Sequence, residues 1–238
     1  MVPPAVRRLV LPMTSAVGSV RTVVTPGRRV VLTYDDGPVP VDTPGVLAAL
    51  AEHGARATFF VLVARAEREP GLLREVVAAG HEVALHGIDH VRLTALAPGE
   101  VRRRTAEGKQ RLEQLLQAPV RWFRPPYGAQ TPATWAAVRR CGLEPVVWNR
   151  TGYDWLDEPV EDVARRTLDG VAAGDVVLLH DGFASADVGV DDGPPPAFRR
   201  EDLARRVLDG LVQRGLEPVS LGQAVAEGRA VKGAWFRK

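Results

Sequence analysis

Two carboxylates stand side by side in Asp35-Asp36-Gly37-Pro38, and two imidazoles stand four positions apart in His86-Gly87-Ile88-Asp89-His90. Adjacent acids cannot both ionise freely unless a cation compensates them. One carboxylate on a metal, with the other free as a base, resolves that conflict. Taken alone, the segment also reads as an Asp-Gly turn with a helix-capping Asp. On a helical turn His86 and His90 would face the same way, roughly 6 Å apart, a two-His clamp for a divalent ion. With Asp36 they make a two-His, one-carboxylate set with room for water, the mark of a catalytic rather than a structural metal. No Glu follows His86, so the zincin motif is absent. Zinc suits these mixed nitrogen and oxygen donors, and cobalt or nickel would also bind them.

Other segments carry further chemistry. In Phe123-Arg124-Pro125-Pro126-Tyr127-Gly128 two prolines fix φ and Gly128 permits a tight exit, so the turn is rigid. Arg124 is placed to orient a carboxylate bidentately, and the Tyr127 N–H to act as an oxyanion donor; plain loop rigidity is the competing reading. Leu178-Leu179-His180 ends an apolar run with a ring suited to general acid chemistry, since a neighbouring carboxylate can raise its pKa. Asp154-Trp155 offers such a carboxylate and an aromatic wall, with core packing as the alternative for Trp155. His53 and His81 sit in helix-end or loop contexts and read as structural.

The elements that must position these groups alternate along the chain. Short β-branched or apolar runs cover Arg29–Tyr34, Thr58–Val63, Glu82–His86, Val120–Phe123, Pro145–Asn149, Val176–His180 and Glu217–Ser220. Helical periodicity covers Val41–His53, Gly71–Ala79, Pro98–Leu116, Pro132–Cys141, Pro159–Ala173, Arg200–Arg214 and Leu221–Glu227. Strands alternating with helices predict an α/β fold with a mostly parallel sheet, a barrel or a doubly wound sheet, in one domain. Asp35-Asp36, His86, Arg124 and His180 all fall at strand carboxyl ends, which form one rim in such folds. Gly182–Pro196 is a long connection rich in breakers directly after a strand, either a lid over a site or a mobile surface loop.

Composition narrows the setting. The 238 residues are 45% hydrophobic and 25% charged, so disorder is excluded. A single cysteine, Cys141, excludes a disulfide framework and a multi-Cys zinc site. No run reaches the ~18 apolar residues of a membrane span. The net charge is only +2 and the arginines alternate with acids, a salt-bridged surface rather than a nucleic-acid groove. Near the start, Arg7-Arg8 and Leu9-Val10-Leu11 hint at a signal peptide, but Pro12 cuts the apolar run short. A cytoplasmic location is expected, with secretion the alternative.

Together these residues resemble the polysaccharide deacetylase family, the carbohydrate esterases built on the NodB homology domain. Thr33-Tyr34-Asp35-Asp36-Gly37-Pro38 is similar to its first motif, with Tyr34 where Phe is usual, and His86…His90 to its second. Arg124-Pro125-Pro126-Tyr127 is similar to the third, Asp154-Trp155 to part of the fourth, and Leu178-Leu179-His180 to the fifth. The matches run in family order from Arg29 to Ser220.

The resemblance implies a distorted (β/α) barrel, NodB-like, of about seven strands. It divides the chain into an N-terminal extension (1–28), the deacetylase domain (29–227) and a C-terminal tail (228–238). It implies a divalent metal, usually zinc, on Asp36, His86 and His90, with Asp35 as the base toward the attacking water. Arg124 would orient Asp35, the Tyr127 N–H would hold the oxyanion, and His180 would protonate the leaving group. Leu178 and Trp155 would pack the acetyl methyl.

Two positions depart from the family pattern. Gly87 stands where Ser or Thr is usual, which leaves the substrate class open. Thr151 stands where an Asp usually supports the catalytic His, which predicts a weaker acid unless Asp154 or Asp181 compensates. The expected function is removal of an N-acetyl or O-acetyl group from a small glycoside or glycoconjugate rather than a cell-wall polymer. The partner is then an N-acetylated sugar, with no nucleic acid and no membrane; the oligomeric state is not readable. A same-fold amidohydrolase acting on a non-sugar amide, imide or formamide, and a non-catalytic sugar-binding protein, are the alternatives.

Overall fold

β-Branched and aromatic runs form a curled central sheet, as their fit to a pleated, buried surface dictates. The computed structural model describes residues 17–237; the Leu9–Leu11 run weighed against a signal peptide lies outside them. The strands are β1 (Ser19–Val24), β2 (Arg29–Asp35), β3 (Thr58–Leu62), β4 (Glu82–Gly87), β5 (Trp122–Phe123), β6 (Glu144–Pro145), β7 (Arg150–Thr151), β8 (Val176–His180), β9 (Glu217–Val219) and β10 (Arg229–Gly233). The helices are α1 (Thr43–Glu52), α2 (Val63–Arg68), α3 (Pro70–Ala78), α4 (Pro98–Leu116), α5 (Pro132–Arg140), α6 (Val160–Leu168), α7 (Arg200–Gln213) and α8 (Leu221–Glu227). A Pro opens the first turn of α1, α3, α4 and α5, where its missing N–H costs no intrahelical bond.

The main sheet runs β6-β5-β4-β3-β2-β8-β7, and β9 lies along the first half of β2. All of these pairings are parallel, so the α/β fold expected from the alternation is present as a half-barrel. Helices cover one face, and Leu32, Phe59, Val177 and Leu179 pack against Val46, Leu50, Leu203 and Val207. The other face fills the barrel interior with Val31, Phe60, Ala84, Trp122 and Val176.

The sequence reading is corrected in three places. Of the strand expected over Pro145–Asn149 only Pro145 belongs to β6, and the rest is a crossing. It carries the chain from β6 at one end of the row to β7 at the other. The run expected to stay extended to Val63 turns directly into α2, with Leu62 as the last extended residue. Third, the two segments flanking the expected domain hold strands: β1 and β10 pair antiparallel. This ribbon sits over the open side of the half-barrel, with Val20 bridging Val146 and Thr22 bridging Asp175. Among the described residues no helix is long and apolar enough to cross a membrane.

Candidate active site

Strand alternation puts Val31, Thr33 and Asp35 on the barrel-interior face of β2, while Val30, Leu32 and Tyr34 face the helices. Asp36 would be expected to point away. It does not, because its φ is 77°, a left-handed conformation that breaks the alternation and turns a second carboxylate toward the interior. The Arg65 Nη1 donates to the Asp36 carbonyl at 2.9 Å and holds this residue in place. Both carboxylates are buried.

His86 lies in β4, and the chain then leaves the strand through Gly87 at φ 149°. His90 is placed by its N–H, which bonds the Val188 carbonyl at 3.1 Å. The helical turn expected between the two histidines is therefore a strand end followed by a bend, with ring centroids 5.2 Å apart. His86 Nδ1 is 2.8 Å from the Arg124 carbonyl, which can only accept, so Nδ1 carries a proton and Nε2 is the atom turned to the cleft. The Nε2 atoms of His86 and His90 stand 3.3 and 3.5 Å from Asp36 Oδ1. Burial holds His90 down at a pKa of about 4, against the pull of Asp36, so its ring is neutral.

One ligand atom from each of Asp36, His86 and His90 lies within 4.8 Å of the others. Asp36 Oδ1 is buried and has no hydrogen-bond partner among the described residues. A buried carboxylate oxygen with no hydrogen-bond partner, facing the Nε2 atoms of two imidazoles, fits a divalent cation, and these donors suit one.

Asp35 accepts a hydrogen bond from Arg124 Nη1 at 2.6 Å, and the same nitrogen donates to Thr33 Oγ1 at 2.8 Å. The bidentate fork expected for Arg124 is thus a single contact. Its guanidinium is instead fully buried over the Phe60 ring, 4.1 Å from the centroid. Asp35 and His180 are register partners on adjacent strands.

His180 Nδ1 donates to Asp154 Oδ1 at 2.8 Å, and its backbone N–H donates to Asp154 Oδ2 at 2.8 Å. Burial alone would lower the His180 pKa; the charge and hydrogen bond of Asp154 outweigh it and push the value up to about 9. Asp154 is fully buried and braced by Arg200, whose Nη1 donates to its carbonyl at 2.5 Å. The support that Thr151 was expected to weaken therefore comes from Asp154. Thr151 Oγ1 instead accepts the Tyr153 N–H at 3.1 Å. Asp181 turns elsewhere, accepting from the Gly37 N–H at 3.2 Å and the Thr43 hydroxyl at 2.7 Å. A side chain at Gly37 would meet Asp181 Oδ2 at 2.0 Å, so only glycine fits there.

These groups open into a cleft of about 650 Å³. Tyr127, Trp155 and Leu178 line it with Asp35, Asp36, His86, His90 and His180. Tyr127 sits at φ 60° in the short turn Pro126–Gly128, and the Trp155 ring stands edge-on to His180 at 5.6 Å. Trp148, Trp235, Arg21, Arg92 and Arg237 also line the cleft. The long connection Gly182–Pro196 contributes Phe183, Ala184 and Asp192. Its first half is fastened down: Ala184 and Val188 are buried with Leu62, and Asp187 pairs with Arg65 at 2.7 Å and Arg68 at 3.0 Å.

The polysaccharide deacetylase family profile matches residues 22–146. A chitooligosaccharide deacetylase of Sinorhizobium fredii is 37% identical over 197 residues, 82% of this chain and 90% of the relative. This chain belongs to the polysaccharide deacetylase family. A peptidoglycan-N-acetylglucosamine deacetylase of Bacillus cereus is 33% identical over 155 residues, 64% of this chain and 72% of the relative. A family 4 carbohydrate esterase from Streptomyces lividans, solved in complex with acetate, matches with a TM-score of 0.72 at 26% identity. That match covers 88% of this chain and 100% of the other. The protein is a metal-dependent hydrolase of the deacetylase class.

Within this deacetylase, Arg65 and Arg200 carry positions that sequence reasoning passed over, and Asp181, expected as a second support for His180, serves the backbone of Gly37 instead. Arg65 fixes the backbone of Asp36, Arg200 braces Asp154, and Asp181 holds the turn behind the paired acids. In the sequence the two arginines are indistinguishable from the alternating charges of a solvated helix face. His53 bonds Ala49 and Asp209, and His81 accepts the Ala57 N–H; neither lines the cleft.

Proposed function

We propose that this deacetylase removes an acetyl group, N-linked or O-linked, from a sugar of small size, a glycoside or glycoconjugate containing N-acetylglucosamine. The observation that carries the reading is the pairing of Asp35 with His180 on adjacent strands beside the Asp36-His86-His90 set, all in one cleft. Its sugar substrate is supported by the names of the relatives, which act on chitooligosaccharides and peptidoglycan N-acetylglucosamine. In this reading Asp36, His86 and His90 hold a divalent ion, with zinc the first choice for two imidazoles and a carboxylate. Such an ion supplies a water of lowered pKa and polarises the acyl carbonyl.

Every other step belongs to the chain. Asp35, fixed by Arg124, takes the proton of the water as its oxygen bonds the carbonyl carbon. The Tyr127 N–H, on its fixed turn, donates to the oxygen that gains charge. His180, protonated through Asp154, gives its proton to the departing nitrogen as the C–N bond breaks, leaving an amine and acetate. Leu178 and Trp155 supply an apolar wall for the methyl group.

The test is acetate and formate release from a panel of N-acetyl sugars, oligosaccharides and glycosides, as purified, after chelation and after zinc add-back. Chelator-sensitive acetate from a sugar is the expected result. Metal-loaded protein silent on every sugar overturns it in favour of a non-sugar amide. Protein unable to hold metal overturns the catalytic reading itself.

A further inference from the structure

The cleft holds more positive charge than a neutral sugar would use. Arg21, Arg92 and Arg237 line it, and among the described residues none of the three reaches a carboxylate within ion-pair distance. The buried arginines behind the cleft are tied, Arg65 to Asp187 and Arg124 to Asp35. Arg92 stacks over Tyr127 at 4.0 Å, next to Asp192, which accepts the Tyr127 hydroxyl at 2.9 Å, so an anion is already at hand there. Among the described residues Arg21 and Arg237 have no such neighbour. They flank one indole, their guanidinium carbons 5.6 and 4.0 Å from the Trp235 ring.

The backbone beneath both cations is fixed, which separates them from ordinary surface arginines. Arg21 is the bulged residue of β1: the register with β10 shifts between Val20 and Thr22, and a bulge re-aims the side chain it carries. Arg237 exchanges two backbone hydrogen bonds with Gln130, at 2.9 and 3.0 Å. Gln130 is itself buried, and its Nε2 donates to Ser19 Oγ and to the Trp235 carbonyl, both at 2.7 Å. The Trp235 Nε1 donates to the Gly128 carbonyl at 2.9 Å, directly after Tyr127. One buried amide thus ties the start of β1 and the segment after β10 to the rim of the site.

We propose that Arg21 and Arg237 form an anion subsite, and that the substrate is an N-acylated sugar bearing a phosphate or a carboxylate. A guanidinium recognises either group through paired charge-assisted hydrogen bonds. The inference rests on the deacetylase reading of the cleft and narrows its substrate class from neutral to anionic sugars. Two such contacts at a fixed site give roughly a 10- to 100-fold preference.

The experiment compares binding and turnover by the zinc-loaded protein. Tryptophan fluorescence titrations use N-acetylglucosamine 1-phosphate, N-acetylmuramic acid and neutral N,N′-diacetylchitobiose, and kcat/KM is measured for the same three. Tighter binding of at least one anionic sugar is expected, lost in the Arg21→Gln/Arg237→Gln double variant and partly kept in Arg21→Lys/Arg237→Lys. A preference for the first sugar alone assigns phosphate, and for the second alone carboxylate. In the unaltered protein that preference should also shrink as salt is raised, which tests the subsite without relying on a variant. Equal affinity for all three sugars, or a preference that survives both the double variant and high salt, overturns the subsite. Loss of the binding preference in the variant, with no acetate released from any sugar, upholds the subsite and overturns the deacetylation reading alone.

Discussion

At the residue scale, the pair His180–Asp154 decides how the proposed acid works at neutral pH. A histidine acts as an acid only below its pKa, and Asp154 raises that value to about 9 against a burial effect of the opposite sign. The alkaline limb of kcat should therefore lie near pH 9. In Asp154→Asn the largest attraction is gone, and burial is opposed only by the smaller pull of Asp36 and Asp35, so the limb should fall well below pH 9. Activity at pH 8 should then drop by roughly 10²- to 10⁴-fold, the usual worth of a positioned acid. Thr151→Val should leave the limb where it is, because the Thr151 hydroxyl serves the Tyr153 N–H. A full pH–rate profile of the three proteins checks both statements. A limb that moves with Thr151 and stays with Asp154 would reverse the assignment. Arg200 would lose its charged partner in Asp154→Asn, so thermal unfolding of that variant should be followed in parallel.

At the element scale, the end of β4 matters most, since it sets the separation of two metal-site residues. Gly87 adopts φ 149°, and a Cβ there would lie 2.7 Å from the Asp89 carbonyl oxygen. The Ser that the family pattern favours would have to push this bend open and carry His90 with it. Gly87→Ser should destabilise the protein by about 1–3 kcal/mol, the cost of a strained backbone position. It should also weaken zinc binding at least tenfold in competition with a chromophoric chelator; unchanged zinc affinity would show that the bend tolerates a side chain. This bend also marks where the sequence stops being legible. β2, β3 and β8 are readable because nearly every residue in them is buried and most are apolar. β1 and β10 are not, since their mixed and partial burial leaves neither an apolar run nor an alternation. β6 and β7 are two residues each, too short for any periodicity. The candidate residues are visible by type and by their places at strand ends. Their contacts depend on the left-handed turn at Asp36 and on Arg65 and Arg200, which no local pattern announces.

At the scale of the whole molecule, the metal set ties together segments that the sheet alone holds apart. Asp36 follows β2, His86 belongs to β4 with β3 between them, and His90 is fastened to Val188 in the long connection after β8. Without a cation, burial works against the Asp36 charge, and His86, His90 and His180 outweigh it and hold the carboxyl below its ordinary range. With one, binding adds stability in proportion to RT ln(1 + [L]/Kd), about 4 kcal/mol when free metal exceeds Kd a thousandfold. For a domain of this length each kcal/mol moves Tm by roughly 2–4 °C, so zinc should raise Tm by roughly 8–16 °C over a chelated sample. Asp36→Asn keeps a residue type that tolerates the left-handed backbone, removes the buried charge and loses a metal ligand. That variant should melt below the unaltered protein in zinc and lose most of the difference between zinc and chelator. Calorimetry on the two proteins in both buffers is sufficient to observe it. If the unaltered protein melts at the same temperature in zinc and in chelator, the three side chains hold no ion and the site must be read as a network of ordinary polar contacts.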